Sequence, residues 1–435
     1  MSLKNYLMPH VARALSSPRL LEWRRNAFEL ARKLTGRKHV LTFYFRPDDP
    51  YSYLMAQRLQ EFVEHFRLQL KPVTLLHLDD SLYPARDMLD ELAPEDAHRL
   101  ARVHELEFPD DWAMPDPKAI AQTARLLIAH ENDPMGYLRL ARQSADAIWQ
   151  GNLERIDYLT RHHDCETSDK AELTLQARRE RFLRDGHYLT ATIHYGGEWY
   201  WSLERLDHLA NRLIKLGLGG GVAPRQYDVA KHAKMKKKVP QVAGRTLEMF
   251  FSFRSPYSYL ALERAWQLAD FYQMKLKIRP VLPMVMRGLA VPKAKKFYIL
   301  KDAAREAALY DVPFGKVADP VGAGVERCMA LWPFAEKEQR LREFFLAAGR
   351  AIWSDGINVA TDRGLARACA DAGLDWNRAR RWLADDGWRA EAEHNRDDMM
   401  ALGCWGVPTF NYYGKAVWGQ DRFAVIESLI LGETE

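Results

Sequence analysis

The apolar positions of this chain follow two rhythms. Short runs dense in aromatic and β-branched residues alternate with longer stretches in which apolar residues recur every three or four positions. The first rhythm predicts buried strands and the second amphipathic helices. Leu41 to Arg46 is one strand run. Leu247 to Arg254, with Met249, Phe250, Phe251 and Phe253, is another. Each leads into the same five residues, Pro50-Tyr51-Ser52-Tyr53-Leu54 and Pro256-Tyr257-Ser258-Tyr259-Leu260. A proline suits the first turn of a helix, where its missing N–H would have no partner. Leu260, Leu262, Ala265, Trp266 and Phe271 carry the second of these helices onward. Further strand runs follow at Leu68 to Val73 and Leu276 to Val281. Strand, helix and strand in that order predict a βαβ unit with parallel strands.

The two copies also close alike. Gly406 to Trp418 predicts a hairpin turning near Gly414, with a helix from Asp421. Leu189 to Trp201 predicts the same hairpin, then a helix through Leu206 and Leu209. Between opening and closing, each copy carries a long helical insert. In the second copy its helices run roughly over 297–310, 325–331, 339–353, 362–372 and 376–402. The fold class expected is α/β: two tandem units, each βαβ, helical insertion, ββα. The expected boundaries are a helical extension over 1–36, a first domain over 37–216, a linker over 217–243 and a second domain over 244–435. Gly217 to Gly221 and the lysines from Lys231 to Lys238 give that linker the composition of a flexible, charged spacer. The extension is expected to pack on the first domain as an amphipathic helix.

A chain of 435 residues suits two such domains. A net charge of +5 spread over that length does not argue for nucleic acid. The four cysteines, Cys165, Cys328, Cys369 and Cys404, show neither a disulfide framework nor metal-ligand spacing, so no metal is expected. No apolar run approaches the length of a membrane span, and Met1 to Arg25 lacks a continuous apolar segment. A cytoplasmic protein with no membrane partner is the expectation.

Candidate chemistry centres on Ser255. Standing immediately before Pro256, it is the natural N-cap of its helix, with its hydroxyl among free backbone N–H groups. A polar group at the positive end of a helix favours anions and thiolates. A lone Ser-Pro is commonly a plain cap, so the rest of the copy decides. Ser255 to Leu260, Arg279-Pro280-Val281-Leu282, Val291-Pro292 with Phe297 to Lys301, Ala351-Ile352-Trp353, Gly406-Val407-Pro408-Thr409 and Trp418 to Arg422 stand in the order found in one family. With these residues the second copy resembles the DsbA-like branch of the thioredoxin fold, and within it the kappa-class glutathione transferases and 2-hydroxychromene-2-carboxylate isomerases. The first copy keeps the architecture but few of these residues.

The resemblance implies glutathione as cofactor. It implies that Ser255 hydrogen-bonds the glutathione sulfur and is the catalytic residue. It implies a cis bond at Val407–Pro408, turning the Val407 backbone toward the cysteinyl group. Gln420 and Asp421 are implied for the γ-glutamyl end, and Lys295, in a group with Lys293 and Lys296, for the glycyl carboxylate. Ser255 and Ser258 stand where redox relatives carry two cysteines, and a hydroxyl forms no disulfide, so dithiol exchange at this site is excluded. The loop Pro283 to Ala290 departs from the family by lacking its Asn, and Arg287 is the candidate in its place. Trp353, Trp405 and Trp418 are candidates for an apolar substrate wall.

The function expected is therefore a glutathione-dependent isomerase or kappa-type transferase acting on a small aromatic or electrophilic substrate. The rivals are a non-catalytic scaffold and a DsbA-like peptide-binding protein without redox activity. Only the second domain is expected to bind glutathione. In the first, Asp49 replaces Ser255, and Pro47 and Asp48 read as two extra residues in the turn. Ala191 stands in place of the cis-proline, so Thr190 is expected to stay trans. Ser202-Leu203-Glu204 replaces Gly419-Gln420-Asp421. The first domain is expected to serve as an internal pseudo-subunit, with a homodimer also possible.

Overall fold

The computed structural model describes residues 3–76, 78, 82–289 and 293–432. Two helices open the chain, α1 (Leu3–Leu15) and α2 (Pro18–Leu34). The first βαβ follows as β1 (Val40–Phe45), α3 (Pro50–Phe66) and β2 (Gln69–Thr74). Its insert is α4 (Arg86–His104), α5 (Pro117–Ala129), α6 (Pro134–Trp149), α7 (Leu153–His162) and α8 (Ser168–Arg184). β3 (Thr192–Tyr195), β4 (Glu198–Trp201) and α9 (Leu206–Lys215) close it. The second pass runs β5 (Thr246–Phe251), α10 (Pro256–Phe271) and β6 (Lys275–Pro280). Its insert is α11 (Lys293–Leu309), α12 (Ala323–Lys337), α13 (Leu341–Trp353), α14 (Asp362–Asp371), α15 (Trp376–Ala379) and α16 (Trp388–Ala401). β7 (Thr409–Tyr412), β8 (Lys415–Trp418) and α17 (Phe423–Leu431) end it.

The described residues form two four-stranded sheets, ordered β2-β1-β3-β4 and β6-β5-β7-β8. In each, the first two strands pair in parallel and the rest antiparallel. The registers match pair for pair. Val40 faces Gln69 as Thr246 faces Lys275, and Tyr44 faces Thr192 as Phe250 faces Thr409. The same topology thus occurs twice, as the repeated pattern implied.

The strand-to-helix turns correct one reading. Arg46-Pro47-Asp48-Asp49 and Ser252-Phe253-Arg254-Ser255 have equal length, and neither turn carries an insertion. Phe253 looked like strand because it is apolar. It is buried below the turn instead, stacked on Phe345 of α13 with ring centroids 5.0 Å apart. The last predicted insert helix also divides, with Asp385 to Gly387 separating α16 from the turn that follows α15.

The chain divides into two compact units, one of Arg25–His232 and one of Met1–Arg24 with Ala233–Glu435. The N-terminal extension is not one body with the first domain: it belongs to the first unit from Arg25 and to the second before that. Ser16 Oγ is 3.2 Å from the Gly315 carbonyl, which ties the end of α1 to the second unit. Nor is 217–243 a free spacer. It contains short 3₁₀ turns at Gly219–Gly221, Val229–Lys231 and Pro240–Val242. Carboxylates hold it within each unit. Asp207 of α9 accepts from the Tyr227 amide at 2.7 Å, and Glu427 of α17 accepts from the Lys234 and Met235 amides.

Candidate active site

α10 begins where the local chemistry requires. Ser255 has φ −98° and ψ 113°, an extended cap conformation, and Pro256 takes the first helical position. The Ser255 hydroxyl accepts from the Ser258 amide at 3.1 Å and donates to the Val407 carbonyl at 3.2 Å. The Val407–Pro408 bond is cis, and among the described residues it is the one cis peptide. The helix start and the proline loop therefore meet at Ser255 and Val407. Both are half-buried, while Pro256, Ser258 and Pro408 around them are closed off. The Ser258 hydroxyl is fully buried and has no hydrogen-bond partner among the described residues.

The proline loop is braced from several sides. Thr409 Oγ1 donates to the Gly406 carbonyl at 2.7 Å, and the Gly419 amide donates to the Pro408 carbonyl at 2.9 Å. A Cβ on Gly406 would come within 2.8 Å of the Trp418 indole nitrogen, so only glycine allows this approach. Arg287 Nη2 donates to the Trp405 carbonyl at 2.8 Å, and burial lowers the Arg287 pKa. Arg287 thus reaches the loop as a brace. Trp405 and Trp418 lie side by side with centroids 4.9 Å apart. Trp353 belongs to the packing beneath the turn, its indole donating to the Phe253 carbonyl and its ring stacked on Phe314.

Gln420 and Asp421 form a second corner. The helix expected from Asp421 begins at Phe423 instead. Gln420 is a buried keystone. Its Oε1 and carbonyl both accept from Arg264 Nη1, at 2.8 and 2.9 Å, and its Nε2 donates to Glu306 at 2.7 Å and to Asp421. Arg264 lies between the rings of Tyr310 and Phe423, 3.9 and 4.1 Å from their centroids. Burial lowers its pKa, against the opposing charges of Tyr310, Asp421 and Glu306. Nearby, the Tyr257 hydroxyl donates to the fully buried Asp302 at 2.8 Å, tying α11 to the first turn of α10. Glu306 and Asp302 are 0% exposed and Asp421 is 8% exposed, while Arg264 is half-buried.

Lys295 stands in the first turn of α11, two turns before Asp302. Burial lowers its pKa to about 8. Val291, Pro292 and the side chain of Lys293 lie outside the described residues. Arg264, Glu306, Tyr257 and Asp302 surround the candidate site, and the sequence reading did not single them out. One signal was available. Tyr51 bonds Asp96 as Tyr257 bonds Asp302, across a separation of 45 residues in both cases.

The first unit builds the same place with other residues. Asp49 caps α3 at the same φ and ψ as Ser255. It accepts from the Tyr51 amide at 3.1 Å and from the Ser52 and Thr190 hydroxyls at 2.7 Å each. Ala191 takes a trans bond and a left-handed φ of 55°. The loop is otherwise closed as in the second unit: Thr192 Oγ1 donates to Leu189 and the Ser202 amide donates to Ala191, at 2.8 and 2.9 Å. Asp49 and Thr190 are each 5% exposed, so their bond fills the gap that Ser255 and Val407 leave half open.

No helix of the described residues is long and apolar enough to cross a membrane, and no cluster of metal-ligating side chains occurs among them. Residues 246–431 match the family described as DSBA-like thioredoxin domain. The chain is 29% identical over 198 residues to a 2-hydroxychromene-2-carboxylate isomerase of Sphingobium xenophagum, covering 43% of this chain and 98% of that protein. It is 26% identical over 210 residues to glutathione S-transferase kappa 1 of Rattus norvegicus, covering 44% of this chain and 92% of that one. A solved 2-hydroxychromene-2-carboxylate isomerase aligns with a TM-score of 0.38 and 23% identity, over 43% of this chain and 95% of its own. With the sheet order, the cis-proline loop and the helix start already in place, residues 246–431 are similar to the DSBA-like thioredoxin domain, and the relatives that match are named as an isomerase and a glutathione S-transferase.

Proposed function

We propose that the second unit is a glutathione-dependent isomerase or kappa-type transferase for a small aromatic or electrophilic substrate. The observation that carries this reading is the half-open contact between Ser255 Oγ and the Val407 carbonyl at the N-terminus of α10. A thiol placed there meets a hydroxyl donor and the positive end of a 16-residue helix. Both favour its thiolate. Val407 offers its backbone to the cysteinyl group, Asp421 its carboxylate to an ammonium, and Lys295 a cation to a carboxylate. Glutathione supplies the nucleophilic sulfur when bound. This chain's residues orient it and hold its charge. The unpartnered, buried Ser258 hydroxyl behind Ser255 fits a second donor turned toward an anion at the same helix start.

The test is calorimetric titration of the full chain with glutathione. Turnover is then assayed on 2-hydroxychromene-2-carboxylate and on a chlorinated nitrobenzene. One glutathione per chain is expected, with affinity weakened in Asp421→Asn and turnover cut in Ser255→Ala. Two equivalent sites per chain, or turnover unchanged in Ser255→Ala at saturating glutathione, would refute the assignment.

A further inference from the structure

α2 packs the wrong way round for a surface helix. Ordinarily the apolar stripe faces the core and the charged face meets water. Here Arg25, Glu29 and Arg32 face inward, while Arg19, Glu22, Arg24 and Lys33 are exposed. Arg25 makes a two-pronged ion pair with Glu198 at 2.7 and 2.8 Å. Glu29 is 6% exposed and pairs with Arg32 at 2.8 Å. On the opposite side Leu20, Trp23, Leu30 and Leu34 are 43, 67, 60 and 79% exposed, with Ala27 and Ala31 exposed between them. At about 100° per residue these six occupy one continuous arc of roughly 100°. Arg19 and Lys33 border it on one side and Arg24 on the other. All three are exposed, and none makes an ion pair with a carboxylate among the described residues.

We infer that this face docks in the plane of an anionic phospholipid bilayer. Leucines and a central tryptophan bordered by basic residues suit the boundary between headgroups and acyl chains. The apolar side chains enter and the cations stay with the phosphates. A 17-residue helix is about 25 Å long, which lies comfortably along a surface. Charge rules against a second copy of α2 as occupant. Residues bordering an apolar seam face their counterparts in a helix pair, so Arg19, Arg24 and Lys33 would oppose like charges in either orientation. Expecting no membrane partner from the absence of a spanning run concerns crossing a bilayer, and a helix lying on one needs no such run.

The test is vesicle flotation of the full chain. One set of vesicles is phosphatidylcholine alone, and the other is phosphatidylcholine mixed with phosphatidylglycerol. Retention is expected on the mixed vesicles, falling as salt rises. Changing Arg19, Arg24 and Lys33 together to Gln should weaken that binding about a hundredfold, since each cation near an anionic surface contributes roughly a factor of five. Leu30→Ser with Leu34→Ser should abolish retention while leaving the unfolding midpoint unchanged, because both side chains are already in water. Failure of the parent to float at low salt would overturn the proposal. So would equal retention of the leucine variant, or a dimer in sedimentation equilibrium that the leucine variant dissociates.

Discussion

The starts of α3 and α10 share one backbone and differ in purpose. Both helices follow a four-residue turn, both caps have the same dihedral angles, and both face a loop closed by a threonine hydroxyl. In the first unit the turn carries Arg46, Asp48 and Asp49, with Arg46 paired to Asp48 at 3.2 Å. Asp49 spends its carboxylate on Tyr51, Ser52 and Thr190. In the second, Ser252, Arg254 and Ser255 stand in their places, and Arg254 turns outward to Asp319. A carboxylate with three internal donors seals its helix start. A serine with one amide and one carbonyl leaves its helix start half open. The same contrast holds at the far corner. The Tyr–Asp pairs set Leu100 opposite Glu306, and the closing loops set Leu203 opposite Gln420. Leu100 and Leu203 are 0% exposed and belong to one apolar core, whereas Glu306 and Gln420 hydrogen-bond each other. One architecture accepts either a closed apolar corner or a buried polar one.

The strongest test of that equivalence is Glu306→Leu. It leaves Gln420 short of an acceptor and removes a negative charge near Arg264 in the interior, and losing one member of a buried polar network costs about 3–5 kcal/mol. Adding Gln420→Leu, which copies the first unit, should recover part of the loss in urea unfolding. A double variant less stable than the single would show that the two corners are not interchangeable.

Asp49→Ala should cost the first unit about 2–4 kcal/mol, from a lost cap and two lost hydroxyl bonds to a carboxylate. Differential scanning calorimetry would register it. A loss no larger than that of a plain cap would mean the Thr190 bond contributes nothing.

Ser255→Ala should lower stability by only about 1 kcal/mol as a lost cap. The same variant should reduce glutathione-dependent turnover about ten- to a hundredfold, the equivalent of about 1.5–3 kcal/mol for one hydrogen bond to a charged sulfur. Ser255→Asp sharpens the comparison further. Aspartate caps as well, so the fold should persist, while a carboxylate beside the thiol disfavours the thiolate. Thiol ionisation followed by ultraviolet absorbance against pH should show the bound glutathione pKa raised.

The smallest effect concerns pH and the segment after α9. Burial, with Asp228 beside it, pushes Asp207 up to about 7. Asp228 is held below the usual carboxylate range: burial opposes its ionisation, but hydrogen bonds from His232, Asp207 and Gln226 and the charge of Lys231 outweigh it. A folded Asp207 keeps its proton more tightly than an unfolded one. Its contribution is therefore full below the ordinary value of 3.8 and is lost as pH rises through about 7. The first unit should lose about 1–2 kcal/mol of stability between pH 4 and pH 7, a loss that Asp207→Asn removes. Urea midpoints that fall equally in both proteins would remove Asp207 from the account.

What could be read from sequence was local. Period-two and period-three-to-four patterns placed strands and helices, because burial of one face imposes those spacings. Pro50 and Pro256 marked helix starts, and Ser255 and Asp49 marked caps, because capping acts within one turn of the chain. The match of Val407-Pro408 to a cis-proline loop was legible because proline makes that bond accessible. Three things depended on contacts between distant segments. Phe253 reads as strand until α13 is seen to cover it, and with it the turn length changes. Gln420 and Asp421 read as an open corner until Arg264 and Glu306, from two other helices, are found to hold them. α2 reads as a packed amphipathic helix until Glu198 and its neighbours take its charged side and leave its leucines in water. A sequence pattern fixes which residues share a face. Which face meets protein is decided by the surfaces the rest of the chain brings to it.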